Sequence, residues 1–120
     1  MPSNPQFSDE EIYQQIGSIV KIFQLLQCAE CAEAIKTWLK ANGINGTHLQ
    51  IQLVGRGSFI VSQRWEESQT PITQNATHYG IEVRSKVFDN LSTTGLTREE
   101  WIKDFDCPSG KFIVEEIDRF

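Results

Sequence analysis

The stretch "QCAECAEAIKTWLKANGINGTHLQIQLV", residues 27–54, changes its hydrophobic period halfway along. From Cys28 to Ala41 the apolar residues recur every three to four positions, which predicts an amphipathic helix, and Asn42-Gly43 is a typical helix end. From Thr47 onward apolar and polar residues alternate, which predicts a strand. A helix that gives way to a strand in this manner indicates a fold that combines both elements.

A second helix is predicted upstream, over residues 8–23. Ser8 is a favourable N-terminal cap, three acidic residues follow it, and Glu11 stands at the capping-box position. Residues 1–7 resemble a linker. We therefore expect a flexible N-terminal segment, residues 1–7, followed by an additional helix.

The downstream half of the chain predicts a sheet. Four segments have the composition of strands: "SFIVSQ" from residue 58, "HYGIEV" from 78, "KVFD" from 86 and "KFIVEEI" from 111. Gly55-Arg56-Gly57 predicts a hairpin that pairs the first of these with the strand at Thr47, and residues 64–77 predict a polar loop. A capping box at Thr97 predicts a short helix through about Phe105. Helices followed by a mostly antiparallel sheet make one α+β domain, residues 1–120.

The composition of the chain argues against two classes of binding partner. The formal net charge is −5 and no basic run exists, which argues against nucleic acid as the partner. No segment has the roughly 20 apolar residues that cross a bilayer, so no membrane partner is expected. The polar, acidic N-terminus is not a signal peptide. We expect a cytoplasmic protein as expressed, reduced because it has an odd number of cysteines, with any export dependent on a longer parent polypeptide.

Cys28 and Cys31 raise the main chemical question. A cysteine nucleophile works as a thiolate, and Cys28 stands at a helix start, where unpaired N–H groups and the helix dipole stabilise an anion. Cys31 lies one turn further on, within the apolar stripe, where an unbridged cysteine is commonly a small core residue. The pattern therefore favours Cys28 as the nucleophile and keeps Cys31 as the alternative.

A thiolate enzyme also needs a base that is held by a third group. His78 is predicted at the start of one strand and Asp89 at the end of the next, and a tight turn between antiparallel neighbours brings such positions side by side. Asn75 and Asn90 are substitutes for Asp89. Taken alone, His78 simply opens a strand and Asp89 simply caps a turn; together with Cys28, in this chain order, they indicate a catalytic set.

Two glutamines upstream of Cys28 are candidates for stabilising an oxyanion. The backbone N–H of the nucleophile is one natural donor, and the second would come from the side chain of Gln24 or Gln27. We favour Gln24, because Gln27 adjoins the nucleophile directly.

Other roles for the cysteines are weaker. Cys28, Cys31 and Cys107 with one histidine would make four zinc ligands, but such sites usually contain a second close pair of ligands, and Cys107 stands alone. A thioredoxin-like redox pair would follow a strand, whereas a helix precedes this pair. His48 lies within an alternating strand and is expected to be structural. We expect no metal and no cofactor.

Three blocks resemble the papain-fold toxin 2 domains of bacterial polymorphic toxin systems: "CxxCAxxIxxxLxxxGI" from residue 28, "HYGIEV" from residue 78 and "VFDN" from residue 87. With the region around Trp101, the resemblance covers roughly residues 24–106. The first block also resembles the transglutaminase-like core, whose spacing puts the nucleophile at Cys28 and an alanine at Ala32. The papain motif itself would put the nucleophile at Cys31; the helix-start argument favours Cys28.

The resemblance implies a papain-like cysteine hydrolase or acyl-transfer enzyme of the protease, deamidase or transglutaminase type, with Cys28, His78 and Asp89 as its triad. It further implies an effector with a protein substrate in a target cell and a cognate immunity protein, delivered within a larger secreted toxin. The initial Met1 and the additional helix depart from the pattern, so the chain is either an excised domain or a free-standing relative. The alternative is a non-catalytic interaction module on the same fold.

Overall fold

The computed structural model describes residues 7–24, 26–55, 60–62, 71–73, 76–107 and 110–120. This part of the chain forms three helices and eight strands: α1 Asp9–Val20, α2 Cys28–Ala41, β1 Thr47–Leu53, β2 Ile60–Ser62, β3 Pro71–Thr73, β4 Thr77–Val83, β5 Lys86–Asp89, β6 Ser92–Leu96, α3 Arg98–Lys103, β7 Phe105–Asp106 and β8 Phe112–Arg119. The larger sheet has the order β6-β5-β4-β1-β8 and is antiparallel, and the smaller has the order β3-β2-β7. The predicted α+β class is confirmed.

Local sequence signals determine where the two long helices begin and end. The capping box at Ser8 forms both of its hydrogen bonds with Glu11, at 2.9 and 3.2 Å. Helix α1 ends at Val20, before the predicted Phe23, because the N–H groups of Ile22 and Phe23 bond to carbonyl oxygens three residues back and tighten the chain into a turn. Helix α2 has the predicted bounds.

Helices α1 and α2 cover one face of the larger sheet. Their apolar stripes and the facing strand residues form a continuous core: Ile12, Ile16, Val20, Cys31, Ala32, Ile35, Leu39, Ile44, Ile81, Val83 and Phe88. Phe7, assigned by the sequence to a flexible segment, packs on this core, and its ring centroid lies 5.4 Å from that of Trp38. The remainder of that segment lies outside the described residues.

The smaller sheet and α3 cover the opposite face. This second core comprises Leu49, Ile51, Ile60, Ile72, Val87, Trp101 and Phe105. The larger sheet is therefore buried on both faces, which explains the fully buried side chains along β4 and β5.

Several predicted strand partners and element boundaries were wrong. The strand at Ile60–Ser62 does not form a hairpin with β1: it belongs to the smaller sheet, while β1 lies between β4 and β8. Gly55 has a φ of +93°, and the rest of the predicted turn lies outside the described residues. Pro71–Thr73, within the predicted loop, is a strand, and α3 ends at Lys103. Alternation identifies a strand but not its partner, and β8 offers β1 a much longer register than the three residues of β2.

No helix in the described ranges is long and apolar enough to cross a bilayer.

Candidate active site

The β4–β5 hairpin brings the predicted base and carboxylate together. Its two-residue turn, Arg84-Ser85, has φ values of +49° and +70°, and the strands pair from Val83↔Lys86 to Ile81↔Phe88. In this register Asp89 and His78 lie diagonally on one face of the sheet. His78 Nε2 is 3.0 Å from Asp89 Oδ2, and both side chains are fully buried.

Among the described residues, two further N–H groups donate to Asp89. The indole Nε1–H of Trp101 donates to Oδ2 at 2.8 Å, and the backbone N–H of Leu91 donates to Oδ1 at 3.0 Å. N–H donors favour the ionised form of a carboxylate. These bonds, with the imidazole, fix the orientation of the Asp89 carboxylate.

Gly80 makes room for the indole. A Cβ atom at this position would lie 2.7 Å from Trp101 Cζ2 and 2.8 Å from Val87 Cγ1, too close for a real contact. Helix α3, which carries Trp101, begins with a complete capping box between Thr97 and Glu100. The absence of a side chain at Gly80 thus lets α3 place Trp101 across the strand, within reach of the carboxylate.

Cys28 is the first residue of α2 and faces the hairpin. Its Sγ is 4.0 Å from the carbonyl oxygen of Thr77, the residue that precedes His78, and the side chain is 5 % exposed. Gln27, at the cap position, makes no side-chain capping bond. The N–H groups in the first turn of α2 are therefore not used by a capping side chain at the point where the Cys28 sulfur lies.

The imidazole of His78 is strongly basic. Burial alone lowers its pKa, but the hydrogen bond with Asp89 and the interaction with Cys28 outweigh this and raise the pKa to about 9. Because Nε2 contacts Asp89, Nδ1 is the nitrogen that remains for Cys28. Nδ1 is buried and has no hydrogen-bond partner of good geometry among the described residues. Catalytic hydrogen bonds are often long in the absence of substrate.

Cys31 has the properties of a core residue. Its side chain is 0 % exposed within the core beneath α1 and α2. Burial, followed by the negative charges of Asp89 and Cys28, raises the pKa of Cys31 to about 12, so this sulfur stays a thiol. Cys31 is thus poorly suited to the alternative nucleophile role.

The zinc set considered from the sequence is not assembled. Within the ranges that the structure describes, no three His, Cys, Asp or Glu side chains stand close enough to hold a metal ion. The Sγ of Cys107 lies 3.4 Å from the carbonyl oxygen of Lys111, and none of the three cysteines forms a disulfide.

The two glutamines form a turn. Gln24 N–H donates to Gln27 Oε1 at 2.7 Å, and Gln27 N–H donates to Gln24 O at 3.1 Å. The side chain of Gln24 is exposed, whereas the carboxamide oxygen of Gln27 is already engaged, which leaves its Nε2 as a donor. Both glutamines thus stay candidates for the second oxyanion donor.

Asn90 has a different place from the one expected. It does not substitute for Asp89; its Nδ2 donates to the carbonyl oxygen of Gln24 at 2.9 Å. Asn75 lies outside the described residues. His48 is buried on β1, and its ring centroid lies 5.5 Å from that of Tyr79. Ile51 pairs with His78, so His48, three residues before Ile51, lies on the opposite face of the sheet from His78.

Sequence reasoning missed three contributors: the Trp101 N–H, the missing side chain at Gly80 and the Asn90 contact. The sequence predicts no polar role for Trp101, because an indole in a sequence gives no sign of where its N–H points. Asn90 directly follows Asp89, and this adjacency was the available signal.

A family model described as papain fold toxin 2 matches residues 11–106, most of the chain. The match begins inside α1, so it includes most of the helix that the sequence set apart as additional, and it ends in β7. No curated protein and no solved structure matches the chain significantly. The chain therefore belongs to the papain fold toxin 2 family, and its α+β architecture is the papain-like fold that this name describes.

Proposed function

We propose that the chain is a cysteine-dependent amide hydrolase or acyl-transfer enzyme that acts as a bacterial toxin domain. The observation that carries this proposal is the buried His78–Asp89 hydrogen bond beside Cys28, at the start of a helix. Covalent acyl transfer requires a nucleophile, a base and a group that orients the base, and in this proposal Cys28, His78 and Asp89 have these roles. The papain fold toxin family supports a cysteine-protease-like toxin.

The first half of the reaction forms a thioester. The proton of the Cys28 thiol moves to Nδ1 of His78, and Asp89 stabilises the resulting imidazolium by accepting the Nε2–H. The thiolate attacks the carbonyl carbon of an amide, forming a C–S bond and moving the π electrons onto oxygen. The Cys28 N–H and one glutamine donor stabilise this oxyanion. When the tetrahedral species collapses, the C–N bond breaks and His78 donates its proton to the leaving nitrogen.

The second half of the reaction releases the acyl group. Water or an amine attacks the thioester, His78 accepts a proton from it, the C–S bond breaks, and Cys28 regains a proton. Water gives hydrolysis or deamidation, and an amine gives transfer. Protease, deamidase and transglutaminase share every step up to the thioester, and the proposal is for that shared chemistry.

One observation favours a second candidate, a non-catalytic interaction module. The Cys28 side chain is 5 % exposed and that of His78 is 0 % exposed, so a substrate has a narrow approach to the sulfur. A scaffold that had kept the fold without the activity would show the same burial. The two candidates differ in the reactivity expected of Cys28, because a non-catalytic module does not require one activated thiol.

Expression in a bacterial host tests the toxin proposal. Wild type should slow growth, and Cys28→Ala should not, because the nucleophile is gone. Cys31→Ala is the matched control one helical turn away and should retain most of the effect. Equal growth of wild type and Cys28→Ala, with both proteins present in the cell, would remove the toxin role; loss of the effect in Cys31→Ala alone would transfer the nucleophile to Cys31.

As a toxin domain, the chain would act on a protein in a target cell, and the producing cell would need a cognate immunity protein that blocks it. Delivery within a larger secreted polypeptide is part of this proposal.

A further inference from the structure

Gln24, Leu26 and Gln27, here called the nucleophile turn, lie directly before Cys28. It is closed twice, by Gln27 N–H on Gln24 O and by Gln24 N–H on Gln27 Oε1. Within this turn Leu26 has a φ of +73°, which L residues other than asparagine and aspartate rarely adopt. Such a conformation persists only where the surrounding contacts hold it, and it is frequent at active sites.

Asn90 provides a contact that holds this turn from outside. Its Nδ2 donates to Gln24 O at 2.9 Å, across 66 positions of the sequence, and its side chain is 7 % exposed. The carbonyl of Gln24 can only accept, so the nitrogen of the Asn90 amide must face it. This leaves Asn90 Oδ1 buried, without a hydrogen-bond partner among the described residues.

That unsatisfied oxygen indicates what the residue contributes. A buried acceptor without a partner opposes folding by at least as much as one made hydrogen bond favours it. An apolar side chain of similar size would avoid the penalty, so net stability does not explain an amide here. The contribution of Asn90 that reaches the site is its hydrogen bond to the nucleophile turn.

We propose that Asn90 is a positioning residue, which holds the nucleophile turn so that the Cys28 N–H and a glutamine donor meet the developing oxyanion. The inference rests on the proposed function. Asp89 orients the base and Asn90, its neighbour, orients the nucleophile side, so the end of β5 joins both halves of the site. Thiolate formation depends on the contact of His78 with Asp89, in which Asn90 has no part.

Two reagents separate these roles. Iodoacetamide alkylates a thiolate without forming an oxyanion, whereas p-nitrophenyl acetate acylates it through one, and the burst of nitrophenolate gives the acylation rate. For Asn90→Leu we expect acylation to fall about 100-fold, as when reacting groups are misplaced or an oxyanion donor is lost. Alkylation of Cys28 should stay within about threefold, because the His78–Asp89 pair is intact.

Asn42→Ala is the matched control. It removes the same kind of bond, from an asparagine Nδ2 to a backbone carbonyl, here that of Trp38 at 2.8 Å, at the other end of α2. Both rates should equal those of wild type. If Asn90→Leu does not fold, Asn90→Ala carries the same test.

Unchanged acylation in a folded Asn90 variant would overturn the inference while leaving the proposed function intact. A parallel fall of acylation and alkylation would also overturn it, because Asn90 would then act on the thiolate. The absence of any burst in wild type would instead remove the proposed acyl transfer, and this inference with it.

Discussion

Raising the pH should destabilise the fold through His78. The pKa of His78 is about 9 in the folded protein, against 6.5 for an ordinary histidine, because the Asp89 hydrogen bond and Cys28 outweigh burial. Below pH 6.5 the imidazole is protonated in both states and its contribution to stability is complete. Between the two values the unfolded chain loses its proton while the folded protein keeps it, so stability falls. A difference of about 2.5 pKa units corresponds to about 3 kcal/mol of unfolding free energy.

Urea unfolding between about pH 6 and pH 10 measures this change. His78→Gln is the reference, because it removes the imidazole and retains every other titratable side chain of the wild type. The stability advantage of wild type over His78→Gln should shrink by about 3 kcal/mol across this range. Asp89→Asn retains the imidazole but removes its main charge partner, and should lose most of the pH dependence. Parallel profiles for wild type and both variants would refute the assignment of a raised pKa to a buried His78–Asp89 pair.

Three substitutions test the packing around the site and beneath α1. Trp101→Phe removes the 2.8 Å bond to Asp89 and should lower the unfolding free energy by about 2 kcal/mol, measured in urea; an unchanged value would mean that this bond contributes nothing. Gly80→Ala would place a Cβ 2.7 Å from the indole of Trp101, so it should lower the unfolding free energy by about 1–3 kcal/mol and shift the wavelength of tryptophan fluorescence. An unchanged unfolding free energy would show that the indole moves freely. Gly17→Ala would ordinarily stabilise a helix by about 1 kcal/mol, but its Cβ would lie 2.5 Å from the backbone oxygen of Thr93. The midpoint temperature of thermal unfolding should therefore fall. A higher midpoint temperature would contradict this contact.

The sequence predicted what local signals determine. The bounds of α2 follow from its apolar period and its Asn42-Gly43 end, and the start of α1 follows from the capping box at Ser8. The proximity of His78 and Asp89 was also predictable, because a tight turn leaves antiparallel neighbours little choice of register.

What the sequence did not predict depends on contacts between distant segments. The partners of β1 are set by which strands offer a long register and a buried face, and alternation carries no information on either. From the sequence, Gly17 is expected to destabilise its helix and Gly80 its strand. Only the three-dimensional structure shows that the backbone of β6 occupies the space beside Gly17 and the indole of Trp101 the space beside Gly80. The edge strand β6 was missed because "STTGL" has no alternation of apolar and polar residues.

Selective alkylation of Cys28 tests the central claim most directly. Solvent exposure alone does not predict that Cys28 is alkylated fastest, since Cys28 is 5 % exposed, Cys107 is 8 % exposed and Cys31 is 0 % exposed. With limiting iodoacetamide near neutral pH and mass-spectrometric mapping, we predict that Cys28 reacts at least about tenfold faster than the other two. In the proposed mechanism, the buried His78–Asp89 pair accepts the proton of Cys28, which stands at the start of α2. The advantage should disappear in His78→Gln. Equal rates at the three cysteines, or faster modification of Cys107, would contradict the account.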